Sequence, residues 1–185
     1  DIAYKTVLDV QGKGSGFDVA AAIYGGTIYF KKEGEVIETL PVEGLDLVVG
    51  YSGIKADTVS MINIVGEKIK NYKEGMEKIF DNIGRLVEEA KMAIKDKDWE
   101  RVGTLMDYNQ SYLEDLGVST QKLNQMIGAA KKAGAYGAKL SGAGGGDCMI
   151  ALHPDGVQGK LAIMKAIEEA GGQVIDVLSN AKGVR

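Results

Sequence analysis

Cysteine, histidine and tryptophan each occur once in the 185 residues, and proline twice. With Cys148 as the lone thiol an internal disulfide is excluded, which fits a reducing, cytoplasmic setting. One His and one Cys do not make a zinc site of the usual kind. A Ser-His-Asp triad would depend on His153. That residue precedes Pro154-Asp155-Gly156, a turn signal, and reads instead as a strand-end loop residue. No apolar run approaches the roughly 20 residues of a membrane-spanning helix, so no membrane partner is expected. Net charge is −4, which offers no basic face for nucleic acid.

What the chain does have is apolar content, 45% against 26% charged, enough for an ordinary domain with a sizeable core. It also has 26 glycines. Four of them fall within the five residues after Ser141, in Ser141-Gly142-Ala143-Gly144-Gly145-Gly146, between two apolar runs. Glycine permits positive φ and close backbone approach. Such a turn leaves N–H groups to point at one place, suiting an anion or a tightly apposed loop. The plainer reading is a glycine-rich hairpin turn between buried strands.

A second glycine-rich stretch is Gln11-Gly12-Lys13-Gly14-Ser15-Gly16-Phe17-Asp18, followed by the apolar run from Val19. Ser15 is expected to cap a helix over 16–24, which places Asp18 in its first turn, where the helix dipole favours an acid. Asp18 is then either a first-turn acid serving backbone N–H groups or a functional carboxylate. Lys13 either reaches a phosphate or is an exposed lysine.

Residues 1–10 have helical spacing, as in the tail of a helix already under way, so the chain is expected to be part of a longer or split protein. Strands are predicted over 27–30, 35–40 and 45–50, with a turn at Glu33-Gly34. The polar loop after the third strand holds Lys55, Asp57 and Thr58; Asp57 or Thr58 also suits the cap of the next helix. Helices are predicted over 58–71, 73–95, 98–116 and 120–133, and again over 157–170 with a cap near Asp155. Ile79, Ile83, Leu86, Val87, Ala90 and Ile94 share one face, and Val102, Leu105, Met106, Asn109 and Leu113 another. Strands over 136–140 and 147–152 flank the glycine motif, and 173–178 is the last. Cys148 is expected as a buried, inert thiol. Strands and helices segregated in blocks argue an α+β fold, an antiparallel sheet covered by helices.

The two glycine stretches together resemble the GHMP kinases. Ser141-Gly-Ala-Gly-Gly-Gly is similar to that family's C-terminal glycine motif, and Ser15-Gly-Phe-Asp-Val-Ala to its catalytic-Asp segment. The resemblance implies a ferredoxin-like C-terminal domain over 51–185, with the end of the N-terminal domain over 1–50. It implies an ATP- and Mg2+-dependent transfer to a small-molecule hydroxyl in isoprenoid precursor synthesis. Asp18 would be the catalytic carboxylate. Lys13, Ser15, Gly16, Lys55 and Thr58 would contact substrate, and Ser141, Gly142, Ala143, Gly144, Gly145 and Gly146 would line the phosphate and acceptor side. The nucleotide loop and its metal ligands would come from the N-terminal half of the same kinase, on the same or a separate chain, so this chain alone is expected to be inactive. A homodimer is compatible with the family. Along its length the chain resembles members acting on mevalonate; Gly12 to Ala20 and Asp147-Cys148 resemble those acting on phosphomevalonate, the alternative acceptor. A non-catalytic binding module of the same fold is the reading from a different class.

Overall fold

The computed structural model describes residues 2–12, 14–31, 34–154 and 156–184. The chain forms two compact units, Asp1–Leu45 with Leu178–Arg185, and Asp46–Val177. The boundary expected at 50/51 falls inside a strand of the second unit.

In the first unit, helices α1 (Ile2–Gln11) and α2 (Phe17–Tyr24) precede a short antiparallel pair, β1 (Ile28–Phe30) and β2 (Ile37–Thr39). The register sets Tyr29 opposite Glu38. Ala20, Tyr29 and Leu40 are buried. Residues after Leu178 return to this unit: Gly26 N–H donates to Ala181 O at 2.9 Å, and Val184 N–H to Ala22 O at 3.1 Å. The last strand therefore stops at Ile175, short of the expected 178. Glu33 and Asp155, read as turn and cap, lie outside the described residues; the cap of the last helix is Gly156, without a side-chain bond.

The second unit runs β3 (Leu47–Tyr51), α3 (Thr58–Asn71), α4 (Lys73–Asp96), α5 (Trp99–Leu116), α6 (Gln121–Lys132), β4 (Gly137–Ser141), β5 (Cys148–Leu152), α7 (Val157–Glu169) and β6 (Gln173–Ile175). Its sheet order is β4-β5-β3-β6, with every neighbouring pair antiparallel. Strands β3 and β4 are therefore parallel across β5, joined by a helical crossover, and so are β5 and β6 across β3. This is the split βαβ arrangement of ferredoxin-like folds. Burial alternates along β3, and along β4 from Ala138 on, as period-2 side chains require. The buried face (Val48, Ala138, Leu140, Met149, Ala151) packs with Leu123, Met126, Ile127 and Ala130 of α6 and Ile163 and Ile167 of α7. Caps fall where short polar side chains stand before apolar-periodic runs: Asp57, Asp98 and Thr120 each accept a first-turn N–H.

The sheet's β4 edge is covered by α5. Two glycines allow the approach: a Cβ on Gly103 would sit 2.3 Å from the Tyr136 carbonyl carbon, and one on Gly137 would sit 2.0 Å from Gly103 O. Side chains of α5 then take the N–H groups that β4 turns away from β5. Ala138 N–H donates to Asp107 Oδ1 at 3.1 Å and Leu140 N–H to Gln110 Oε1 at 2.9 Å. An edge closed this way offers no unpaired row to another chain. Asp107 Oδ2 also pairs with Lys131 of α6 at 2.7 Å.

Gly103→Ala is expected to destabilise the protein by about 2 kcal/mol or more, since the added methyl meets backbone that cannot yield. Gly84→Ala, where a Cβ meets nothing within 4 Å on helical backbone, is expected to stabilise by about 0.4–1 kcal/mol. Denaturant unfolding of both variants checks the pair.

Candidate functional site

In the first unit the loop between α1 and α2 is shaped by Tyr4. Its hydroxyl donates to Gly14 O at 2.9 Å. Its ring occupies the space beside Gly16, where a Cβ would come within 2.9 Å of it. Gly16 adopts φ +82° and is itself the N-cap of α2, with no side-chain cap bond. Its carbonyl accepts Ala20 N–H at 2.9 Å, the first bond of the helix. Ser15 is thus not the cap: the left-handed turn at Gly16 moves the helix start one residue on, to Phe17. Ser15 and Gly16 instead line a cavity of about 290 Å³ with Tyr4, Val19, Ile23 and Phe30. Asp18 stands in the first turn of α2, exposed and outside the walls of that cavity, and accepts Val19 N–H at 3.0 Å. Lys13 lies outside the described residues.

In the second unit the glycine motif is the connection of the β4–β5 hairpin, closed by Ser141 opposite Cys148. Gly142, Gly144, Gly145 and Gly146 all have positive φ. A Cβ on Gly144 would lie 2.2 Å from Val118 O, and one on Gly146 2.6 Å from Ile54 O. Gly145 N–H donates to Val118 O at 2.7 Å, and Asp147 N–H to Ile54 O at 2.7 Å. Of the two roles open for such N–H groups, these two serve apposed loops, one on each side of the hairpin.

Asp147 is the non-glycine member of the turn at positive φ, 52°. Aspartate tolerates that region, and here its side chain is used: Oδ1 accepts Ala56 N–H at 3.2 Å, while its carbonyl accepts Ser52 N–H at 2.8 Å. The hairpin is thereby buckled to the β3–α3 loop. In that loop Lys55 is exposed. Asp57 is the cap of α3, accepting from Val59 N–H at 3.0 Å and Ser60 Oγ at 2.6 Å. The Ser60 hydrogen bonds hold its carboxyl below the usual range. Thr58, the first residue of α3, is exposed.

The support on the other side of the hairpin is a residue the periodicity argument missed. Gln110, buried, accepts Leu140 N–H, and its Nε2, with two hydrogens to give, donates to Ser119 Oγ and Glu114 Oε1 at 3.0 Å each, with Asn124 Oδ1 within reach at 3.3 Å. One amide thus ties the strand entering the glycine motif to the α5–α6 turn on which the motif rests. That turn is itself fixed by a Schellman motif. Gly117, at φ +78°, donates to Glu114 O at 2.8 Å, and Val118 N–H to Leu113 O at 3.2 Å. The signal available in sequence was the polar stripe Asp107–Gln110, three residues apart on an otherwise apolar face.

Two other expectations have clear positions. Cys148 is half-buried and not fully buried as expected; the burial it has, then the Asp147 charge, pushes its thiol up and keeps it protonated. His153 follows β5 as expected, buried, with Nδ1 at 2.8 Å from Pro154 O.

The split βαβ sheet, with its glycine hairpin locked between two loops, defines a class. Residues 76–171 match the family described as GHMP kinases C terminal, and the chain belongs to the GHMP kinases. Among curated proteins it is 41% identical to a mevalonate kinase of Pyrococcus horikoshii and 39% to one of Thermococcus sibiricus, over its whole length and 55% of theirs. A crystal structure of L. major mevalonate kinase in complex with R-mevalonate superposes with a TM-score of 0.79 at 31% identity, covering 85% of this chain and 49% of that one. The chain therefore spans about half the length of the proteins it matches.

Gln110→Leu removes the acceptor of a buried strand N–H. It is expected to cost about 1–3 kcal/mol, read as a lower urea midpoint with unchanged slope. An unchanged midpoint would remove Gln110 from the support of the hairpin.

Proposed function

We propose that this chain is the C-terminal portion of an ATP-dependent kinase that phosphorylates the 5-hydroxyl of mevalonate. The observation that carries the reading is identity of about 40% with mevalonate kinases along the whole chain. Phosphomevalonate is the second acceptor, favoured by Asp147 at a position where mevalonate kinases more often carry glycine. Membership of the family implies ATP use. No helix among the described residues is long and apolar enough to cross a membrane, and a cytoplasmic location goes with the proposed activity.

ATP supplies the phosphoryl group when bound. Asp18 is proposed to do the acceptor's proton chemistry. On an exposed first turn, its carboxylate takes the hydroxyl proton as the oxygen bonds to phosphorus, or orients that hydroxyl. Lys13, Ser15 and Gly16, with Lys55 and Thr58, are proposed to hold the substrate. Ser141 to Gly146 supply a rigid lining, because their loop is already docked and need not reorganise on binding. Among the described residues no group of three or more His, Cys, Asp or Glu forms a metal site. The Mg2+ ligands, with the nucleotide cradle, are proposed to come from the N-terminal half of the kinase. A homodimer remains compatible with this reading.

The test uses the intact kinase containing this chain. Against mevalonate, phosphomevalonate, homoserine and galactose, ATP-dependent turnover is expected with mevalonate. Asp18→Asn keeps side-chain size but removes charge and proton affinity, and kcat is expected to fall at least about 100-fold while the melting temperature stays near that of the parent. Near-normal kcat with a lowered melting temperature would make Asp18 a helix-start residue only.

A further inference from the structure

The side chain of Lys139 is absorbed by none of the roles above. It projects from β4, bends back to the edge that α5 covers, and donates from Nζ to Leu140 O at 2.7 Å. Beside it, α4 and α5 leave a groove of about 210 Å³. The walls are Leu86, Val87 and Ala90 from α4 and Leu105, Met106 and Asn109 from α5, each set at i, i+1, i+4 on its helix. None of these wall residues is charged. Burial alone pushes the Lys139 ammonium down to about 8, and no carboxylate pairs with it among the described residues. At neutral pH this is a half-buried cation whose hydrogen-bond partner is one neutral carbonyl. Such a charge is stabilised most by an anion entering the same apolar space.

We propose that the groove between α4 and α5 is a binding site for a small linear monocarboxylate. The carboxylate sits on the Lys139 ammonium and the Asn109 amide, and the apolar tail lies between Leu86, Ala90, Leu105 and Met106. The volume fixes the size. A groove of about 210 Å³ that is open on one side suits a short chain, of roughly five or six carbons, and not a long one. The walls give hydroxyl groups on the tail no partner besides Asn109, so an unsubstituted chain is preferred to a polyhydroxylated one. Val87, partly exposed, leaves the groove open to solvent. This site does not depend on the kinase reading and stands or falls separately from it.

The experiment is calorimetric titration of the intact protein at pH 7 with hexanoate, hexan-1-ol and acetate. Hexanoate is expected to bind saturably and at least about tenfold more tightly than either, since hexanol lacks the charge and acetate the tail. Lys139→Met is expected to weaken hexanoate about tenfold or more and to melt no lower than the parent, because it removes a desolvated charge. Lys139→Arg is expected to retain binding. Ala90→Leu, which leaves Lys139 in place and fills the groove, is expected to abolish it, and decides the matter should Lys139→Met fail to fold. Hexanoate affinity is also expected to fall as pH rises from 7 to 9 through the Lys139 transition. Failure of hexanoate to bind, or parent-like hexanoate affinity in folded Lys139→Met or in Ala90→Leu, would overturn the proposal.

Discussion

The carbonyl of Val118 receives the N–H of Gly145 at 2.7 Å, beside a glycine whose Cβ would collide with that same carbonyl. The glycine hairpin of the second unit depends on this close approach. It requires the α5–α6 turn to present Val118 O, which the Schellman motif at Gly117 arranges. It also requires β4 to enter at a fixed height, which Gln110 and Asp107 arrange from α5. On the far side, Ile54 and Ala56 engage the backbone and carboxylate of Asp147. The hairpin is thus held between two loops by directional bonds, with glycines placed where any side chain would separate the backbones.

The same device explains why α5 lies along the sheet's edge and does not simply pack on its face. Gly103 and Gly137 bring helix and strand into backbone contact, and at that range the strand's outward N–H groups lose water. Buried donors left alone cost about 1–3 kcal/mol each. Asp107 and Gln110, one helical turn apart, meet Ala138 and Leu140, two residues apart on the strand. Packing and polar satisfaction therefore arise from one helix face, and the face that carries them leads directly into the glycine motif. The first unit uses a related economy: Tyr4 fills the space a side chain at residue 16 would need, and the left-handed Gly16 then starts the helix that bears Asp18.

Much of this was legible in the sequence. The spacing predicted α3 over 58–71, and α4 to α7 within a residue or two of their ends, because long amphipathic patterns with Asp, Thr and Gly at their limits are strong local signals. The glycine motif was legible as a hairpin turn for the same reason. The failures lie where tertiary contact overrides local chemistry. Ser15 is a good capping residue, but the Tyr4 ring and the positive φ of Gly16 shift the start of α2. Gln110 adjoins Asn109, and the polar pair it forms with Asp107 does not by itself mark burial; only the approach of β4, folded back from thirty residues downstream, makes its amide necessary. The β6 end was overextended because residues after 178 leave for the first unit. Asp18 stands where expected, in the first turn of α2, although the cap before it differs.

The central claim is that the glycine hairpin is a docked, rigid element and not an open turn awaiting an anion. Amide hydrogen exchange, resolved by residue in the absence of any ligand, tests it most directly. The N–H groups of Leu140 and Gly145 should exchange as slowly as that of Ala151 in the buried strand β5, since all three open only when the sheet and its two flanking loops come apart. Exchange of Gly145 at the rate of an unprotected amide, with Ala151 still protected, would contradict the account.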